Sequence, residues 1–398
     1  LKTPNRNLFV AFVCLAFLTY GLFNSAVGPI LDELATLTGS SLSAVGGAFT
    51  FLFLGSLTTM LLVGPLIDRI GLKIVIVTAL VVLAVGISGF SNARLLPLMF
   101  AMFLVSGVGQ GGMEIAGNLV ITEAYPKDNA GIFNLLHFFF GLGAFIGPAV
   151  VSLFVSGGLP GRAVHWIAAG VIAILAVLFL VFYRNKKAAP HAESGTNAPL
   201  LRAASIYRSP LLWSMGVLLL LYVGVEYSIG SWSTSFMGLS ADLPLEQGAL
   251  VASAYWGFLT LGRLLGIVLS KKVTALQLLG GSVMGALAGG VAFLLLTGTR
   301  VPIIVAIMFI GFCFGAIFPT TISITTSAFP NHQGKAVSLV SALSSIGGLT
   351  LPWLAGVLLE QGGTSVFSWY VLAVLVFEAV FFLLIWRFEK KHQAQTAA

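Results

Sequence analysis

Charged side chains are scarce in this sequence. Only 8% of its 398 residues are Asp, Glu, Lys or Arg, whereas a soluble domain carries about 25%. Hydrophobic residues make up 58% of the chain, and its mean hydropathy is +1.02. A water-facing surface cannot be built from this composition. The composition therefore excludes a soluble protein and predicts a large apolar surface in contact with lipid.

Residue patterns that carry catalytic or metal chemistry are also missing. The two cysteines, Cys14 and Cys313, lie inside apolar runs, so neither a disulfide framework nor a cluster of Cys and His ligands is indicated. The absence of a Gly-x-x-x-x-Gly-Lys-Ser/Thr loop argues against ATP as the energy source. No nucleophile and base occur together in a supporting context. We therefore expect no enzyme activity, no cofactor and no metal.

Long apolar runs fill most of the chain, and a membrane-spanning helix needs about 20 such residues. The runs cover roughly 8–31, 43–66, 74–91, 95–121, 130–154, 163–183, 211–237, 247–269, 274–297, 301–326, 334–358 and 366–387. We expect the first run to be a retained helix, because it lacks a signal-peptide pattern. The polar stretch 184–208 is typical of a flexible linker. The sequence therefore predicts an N-terminal bundle over 1–183 and a C-terminal bundle over 209–398.

Basic residues are unevenly distributed between the two sides of the predicted membrane. An even number of spans puts both termini on one side, and sixteen of the twenty Lys and Arg residues fall on that side. The opposite loops hold only Arg94, Arg162 and Arg300. Because basic loops remain in the cytoplasm, we expect both termini and the linker to be cytoplasmic, in a cell inner (plasma) membrane. The net charge of +7 is then a topology signal, and no nucleic-acid partner is expected.

The two halves of the chain repeat one another. Glycines and prolines of the fourth and fifth spans recur at an offset of 204, and glycines of the second span recur at an offset of 202. The matched pairs are Gly107 with Gly311, Gly111 with Gly315, Gly143 with Gly347, Pro148 with Pro352, Gly55 with Gly257 and Gly64 with Gly266. Two parallel six-helix halves are the architecture of the major facilitator transporters. The predicted fold is therefore an all-α polytopic membrane protein with twelve transmembrane helices in two six-helix parallel repeats.

The segment between the second and third spans resembles the cytoplasmic signature of that superfamily. Residues 64–73 read GPLIDRIGLK, an Asp-Arg pair between two glycines followed by a basic residue. We expect Asp68 at a helix N-terminus and Arg69 among the lipid headgroups. Both are interpreted as gating or structural charges.

Four further segments resemble the fucose–proton symporter family and its sodium-coupled glucose relatives. They are GGMEIAGN at 111–118, FNLLH and FGLGA within 133–144, YVGVEYSIGSW at 222–232 and FPT at 318–320. The resemblance covers nearly the whole chain and implies ion-coupled sugar transport. Sugar-binding relatives carry an aspartate in the first span around the position of Gly28, and this chain does not. That departure leaves the identity of the sugar open.

Glu114 is a carboxyl group well inside the fourth span. Gly107, Gly111, Glu114 and Asn118 follow i, i+4, i+7, i+11 spacing and share one helical stripe. An ionisable group at mid-membrane costs about 2.5–3.5 kcal/mol on insertion scales, so its presence needs a reason. We predict that Glu114 binds the coupling ion. The alternative is a permanently neutral, hydrogen-bonded side chain that holds helices together.

Glu226 lies inside the seventh span in a run rich in glycine and serine. Such a run predicts a discontinuous helix, which membranes tolerate where the backbone lines a cavity. Free carbonyl groups and one carboxylate can bind a proton or a sodium ion there. The alternative is a Glu near the outer surface, because the span ends near Met237.

Two more charged residues fall inside spans. Arg263, in the eighth span, either binds an anionic substrate, or it snorkels or pairs with a carbonyl cluster near the inner gate. We prefer the second interpretation and class Arg263 with the gating or structural charges. Glu378, in the last span, is expected to serve the scaffold.

Polar and aromatic side chains of the cavity-lining spans are the candidate substrate contacts. Asn134 and His137 share a face of the fifth span, where His137 either titrates and donates to a substrate hydroxyl or simply packs. Aromatic rings suit the C–H face of a sugar. The candidates are Tyr20, Asn24, Asn118, Asn134, His137, Phe140, Tyr227, Trp232 and Trp256.

These features predict a secondary active transporter that works by alternating access. The expected reaction is symport of a small polar solute, a hexose-like sugar, with a proton or sodium ion by a monomer in the lipid bilayer. One alternative is a proton-coupled efflux antiporter for drugs or metabolites. Residues 143–148 partly match the antiporter signature, although Val150 and Val151 replace its later glycines. Another alternative is a non-transporting sensor, which predicts an added soluble signalling domain.

Overall fold

Nearly all of the protein is helical. The computed structural model describes residues 6–124, 130–183 and 206–397, and within these ranges no β-strand occurs. The described residues form two compact units. The first contains the residues up to 183 and two short segments, Ser233–Ser235 and Pro244–Ser253, and the second contains the rest. Residues 184–205 of the predicted linker lie outside the described residues.

The described part of the first half of the chain forms eight α-helices. They are α1 (Arg6–Ala26), α2 (Leu31–Thr38), α3 (Leu42–Gly46), α4 (Ala48–Ile70), α5 (Leu72–Asn92), α6 (Leu96–Ala124), α7 (Ala130–Ser156) and α8 (Ala163–Phe182). Helix α6 packs against both α4 and α5, while α1 packs along α7. The polar side chains of α1 and α6 are thereby placed inside the first unit.

The second half follows the same order of long helices. They are α9 (Pro210–Ala241), α10 (Leu245–Leu269), α11 (Ala275–Leu295), α12 (Val301–Phe314), α13 (Ile317–Ala328) and α14 (Gln333–Ala397). Helix α14 is broken at Gly363, where φ is 70° and ψ is −172°. Residues other than glycine rarely adopt this conformation. The break divides α14 into two passes.

The described ranges contain twelve helical passes, as the sequence predicts. Eleven helical segments in the described ranges are long and apolar enough to span a bilayer, and one of these runs through both passes of α14. Helices α12 and α13 together form one span, Val301–Ala328. The prediction of an all-α polytopic fold with two six-helix repeats is therefore confirmed.

The repeat of the two halves is visible in matched glycines that lie against a backbone carbonyl group of a neighbouring helix. A Cβ atom on Gly107 would overlap the carbonyl oxygen of Leu52 in α4, and one on Gly311 would lie 2.7 Å from that of Tyr255 in α10. Small residues allow such close helix contacts in membranes. Leu52 and Tyr255 are 203 residues apart. The predicted offset of 202 for the second and eighth spans was therefore wrong by one residue.

The first and seventh spans are related in the same way. A Cβ atom on Gly143 would overlap the carbonyl oxygen of Leu18 in α1, and one on Gly347 would overlap that of Leu220 in α9. Leu18 and Leu220 are 202 residues apart. This register makes Tyr20 equivalent to Tyr222 and Asn24 equivalent to Glu226, an equivalence that the sequence analysis did not identify.

Two local predictions were wrong. The backbone of Asp68 lies in the last turn of α4, which ends before Gly71 with φ of 87°, so it is near a helix C-terminus and not at an N-terminus. Arg69 is exposed in the same turn. The predicted break around Glu226 is absent, because α9 continues from Pro210 to Ala241.

Candidate functional site

A polar network joins α1 and α6 inside the first unit. The Asn24 side-chain amide donates to Gln110 Oε1 at 3.3 Å, and Gln110 Nε2 donates to the Tyr20 hydroxyl at 2.8 Å. All three residues are buried. Asn24 Oδ1 has no hydrogen-bond partner in the described part of the chain. The network therefore leaves Asn24 Oδ1 as a buried acceptor without a donor among the described groups.

Gln110 is the member of this network that the sequence analysis missed. It precedes Glu114 by one helical turn on α6, so the two side chains share a face of that helix. The i, i+4 spacing of two polar residues in an apolar span is a signal that the sequence contains. The partners of Gln110 on α1 are distant in sequence and could not be read from it.

Glu114 is half-buried in α6. Within the described ranges it makes no hydrogen bond or ion pair. Gly107 and Gly111 of its stripe pack closely on α4, where Gly111 faces the carbonyl oxygen of Ser56 at 2.6 Å from an ideal Cβ position. This arrangement gives no support to the alternative in which Glu114 is a hydrogen-bonded link between helices.

Aromatic rings line the same part of the first unit. The centroids of the Tyr20 and Phe140 rings lie 4.8 Å apart, and the exposed His137 approaches the edge of Phe17 at 6.4 Å. Asn118 is half-buried. The side chain of Asn134 lies outside the described residues, so its predicted role stays a prediction.

An ion pair between a partly exposed arginine and a buried glutamate lies in the second unit. Arg263 Nη2 of α10 is 3.5 Å from Glu226 Oε1 of α9. Glu226 is only 4% exposed and sits near the middle of a 32-residue helix, which excludes the alternative of a Glu near the outer surface. Arg263 contacts a carboxylate, a partner that the sequence interpretations did not include.

Two tyrosines enclose this ion pair. The Tyr255 hydroxyl donates to the backbone carbonyl oxygen of Glu226 at 3.0 Å. Tyr222, one turn before Glu226, interacts electrostatically with both Glu226 and Arg263, and its ring packs edge-on against Phe314 at 5.3 Å. Both tyrosines are fully buried. The Glu226 carboxylate therefore lies beside aromatic side chains with polar ends.

The remaining candidates of the second unit divide into two kinds. Tyr227 is half-buried and meets the edge of Trp256 at 5.8 Å, and Gly230 leaves the space into which the Trp256 ring fits. The Trp256 indole nitrogen has no hydrogen-bond partner among the described residues. Trp232 is fully buried, and its indole nitrogen donates to the Pro352 carbonyl oxygen at 2.8 Å. Trp232 therefore holds α9 against α14 in this structure.

Glu378 is a second buried carboxyl of the second unit. It is fully buried in the last pass of α14. Neither of its carboxyl oxygens has a hydrogen-bond partner in the described part of the chain. A purely structural role, as expected from the sequence, gives no reason for an unpartnered acid at this position.

The chain matches one family model over most of its length. The model of the Major Facilitator Superfamily matches residues 13–332 and 279–398. Human sodium-dependent glucose transporter 1 is 23% identical over 379 residues, which cover 87% of this chain and 72% of that protein. Protein TsgA of Shigella flexneri is 23% identical over 360 residues, which cover 88% of each chain.

Solved structures show the same fold. A mutant of the nucleoside transporter NupG superposes with a TM-score of 0.78 and 16% identity, over 96% of this chain and 99% of that one. A bacterial homolog of the human lysosomal transporter Spinster gives 0.79 and 15% identity, over 98% and 99%. Because the family model covers well over half of the sequence, this chain belongs to the Major Facilitator Superfamily and is a membrane transporter, not an enzyme.

Proposed function

We propose that this transporter is a proton-coupled symporter of a small polar solute, with a hexose-like sugar as substrate. The Glu226–Arg263 ion pair carries the proposal. A charged side chain in the middle of a membrane is expensive and marks a functional group by default. Arg263 offsets the charge of Glu226 only while Glu226 is ionised. Proton binding to Glu226 therefore releases Arg263 and changes the contacts between α9 and α10.

The same geometry favours a proton over a sodium ion at Glu226. A sodium ion needs several oxygen ligands, and Arg263 already occupies one side of the carboxylate at 3.5 Å and repels a cation. A proton needs only one carboxyl oxygen. Glu114 is the second carboxyl that we propose for coupling, since it has no partner among the described residues. The human relative is named for sodium dependence, so sodium is tested alongside.

The first unit supports a sugar as the substrate class. Tyr20, Asn24 and Gln110 offer hydroxyl and amide groups, and sugar hydroxyls both donate and accept hydrogen bonds. The buried Oδ1 of Asn24 is an acceptor without a partner among the described side chains. The rings of Tyr20 and Phe140 lie beside these groups and provide an apolar face for the C–H groups of a sugar.

The proposed setting is the inner membrane of the cell, with both termini in the cytoplasm and a single chain as the transporting unit. The excess of basic residues on one side supports this orientation. Inward proton movement then gains about 2.3 kcal/mol per charge per 100 mV of membrane potential. That energy reaches the solute only if proton binding and solute binding favour the same conformation.

The efflux alternative has no separate support in the structure. Gly143 and Gly147 of the partial antiporter signature approach the carbonyl oxygens of Leu18 and Leu22 in α1 too closely for any side chain. Helix packing therefore explains these glycines without reference to export.

The test is uptake into proteoliposomes that contain the purified protein. Labelled hexoses and, as a comparison, labelled nucleosides are offered under an imposed pH gradient, an imposed sodium gradient or neither. We expect hexose accumulation with the pH gradient alone. Accumulation with sodium alone, or solute efflux against proton influx, would contradict proton symport. Uptake of nucleosides in place of hexoses would contradict the substrate class and leave the coupling intact.

A further inference from the structure

Glu378 has the surroundings of a group that binds a proton. It lies on the last pass of α14 and is fully buried, whereas the neighbouring Phe377 is 58% exposed. The glutamate therefore points into the second unit while the adjacent ring faces outwards. Both carboxyl oxygens lack a hydrogen-bond partner in the described ranges. The ionised form is strongly disfavoured in such surroundings, because no described group replaces the hydrogen bonds that a carboxylate makes with water.

Titratable groups on α9 and α10 act on Glu378 through their charge. Its charge interacts with that of Glu226, and the buried Tyr255 lies within electrostatic reach of it. Helix α11, which packs on α14, contains no titratable side chain, and α12 contributes only the thiol of Cys313. On α14 itself, the Tyr370 hydroxyl is already engaged with Ser228 and Leu351.

The charges of Glu226, Glu378 and Arg263 indicate which of the two carboxyl groups carries a proton. Glu226, Glu378 and Arg263 sum to zero when one of the two carboxyl groups is ionised and the other carries a proton. The ion pair at 3.5 Å assigns the negative charge to Glu226, and the absence of a partner assigns the proton to Glu378. Two interacting acids of this kind titrate as a unit and not as independent groups.

We propose that Glu378 is a second proton-binding site of the second unit, which exchanges its proton in concert with Glu226. On release, the Oε–H bond of Glu378 breaks and its electron pair stays on the carboxylate. The proton passes to water. The negative charge that remains on Glu378 favours proton binding by Glu226, which then leaves Arg263. The inference rests on the proposed function only for the role of Glu226 in coupling, since proton binding by Glu378 is measurable without transport.

The experiment is difference infrared spectroscopy on the purified protein, stepped from acidic to alkaline pH. The carboxyl C=O stretching band reports a neutral buried acid and disappears when that acid ionises. We expect such a band to be lost at alkaline pH in the wild type and in Glu226→Gln. In the Glu226→Gln, Glu378→Gln double variant the lost band should be smaller than in Glu226→Gln by the contribution of Glu378, because Glu114 still contributes. Asp242→Asn, which changes an exposed carboxyl, is the matched control and should leave the band unchanged.

Two results would overturn the proposal. One is a spectrum in which Glu226→Gln and the double variant are the same. The other is a Glu378 band that persists at every pH, since this would show a permanently protonated acid. Thermal melting of Glu378→Met provides a second readout if the Gln variant folds poorly. An unpartnered acid predicts a melting temperature equal to or above that of the wild type, and a clear decrease would indicate a fixed structural contact.

Discussion

The equivalent residues Asn24 and Glu226 carry different chemistry in the two halves of the chain. In the first unit the position holds a neutral amide, bonded to Gln110. In the second it holds a carboxylate, paired with Arg263. The preceding tyrosines, Tyr20 and Tyr222, are the same residue type in both. This difference is the basis for assigning solute contact to this position in the first unit and proton binding to the equivalent position in the second.

The ion pair predicts a coupled effect of two substitutions. Arg263→Gln leaves Glu226 buried without its partner. Removing one member of a fully buried pair lowers the free energy of unfolding by about 3–5 kcal/mol, and the loss here should be smaller because Arg263 is partly exposed. The Glu226→Gln, Arg263→Gln double variant leaves no uncompensated charge and should recover most of that loss. Chemical denaturation of the wild type, the single variants Glu226→Gln and Arg263→Gln, and the double variant measures the coupling energy. Additive effects would show that the two side chains do not interact.

The polar network of the first unit predicts a specific loss of substrate affinity. Gln110→Leu keeps a similar volume and removes the contacts to Tyr20 and Asn24. A neutral hydrogen bond contributes about 0.5–1.5 kcal/mol, so KM for the transported sugar should rise about 2- to 10-fold. Asn92→Ala, at an exposed amide that bonds only to Ser88 of its own helix, is the control. An unchanged KM in Gln110→Leu would place the substrate elsewhere.

At the scale of helices, glycine spacing could be read from the sequence, but helix continuity could not. The pairs Gly107 with Gly311 and Gly143 with Gly347 were aligned from sequence, and their contacts match. The polar run around Glu226 was interpreted as a broken helix. In the structure Ser228 donates to the Gly224 carbonyl oxygen at 2.7 Å within an intact α9. Serine can satisfy its hydroxyl in this way without breaking a helix.

The helix contacts predict which glycines tolerate a methyl group. Gly143→Ala and Gly347→Ala place a Cβ against the backbone of α1 and α9, and should lower the free energy of unfolding by about 1–3 kcal/mol each. Gly170→Ala is the control, because no atom lies within 4 Å of its ideal Cβ position. Thermal melts in detergent compare the three variants. Equal stability of Gly143→Ala and Gly170→Ala would show that Gly143 does not lie in close contact with the backbone of α1.

At the scale of the whole molecule, the fold was predictable because a membrane permits few solutions. Backbone groups in lipid must be satisfied internally, so apolar runs of sufficient length become helices, and their number and repeat give the architecture. The pairing of Glu226 with Arg263 and the burial of Glu378 were not predictable. They depend on which faces of α9, α10 and α14 meet, and sequence periodicity alone does not determine this.

The proposed topology predicts where a protease cuts. The segment 184–208 is polar and lies between the two predicted six-helix halves. It is on the same side as the termini, and because most Lys and Arg residues are on that side, it should face the cytoplasm. Protease added to inside-out vesicles should cleave within the segment, and right-side-out vesicles should be protected. The opposite pattern of protection would reverse the orientation.

The most direct test of the central claim compares accumulation with exchange in Glu→Gln variants. Glu226→Gln and Glu114→Gln keep the shape of the side chain and fix it in the neutral state. We predict that Glu226→Gln, Glu114→Gln or both abolish accumulation of sugar under a pH gradient, while exchange of labelled for unlabelled sugar continues. Asp242→Asn, an exposed carboxyl of the second unit, should accumulate sugar like the wild type. Accumulation at the wild-type level in both Gln variants would contradict coupling through these carboxyl groups.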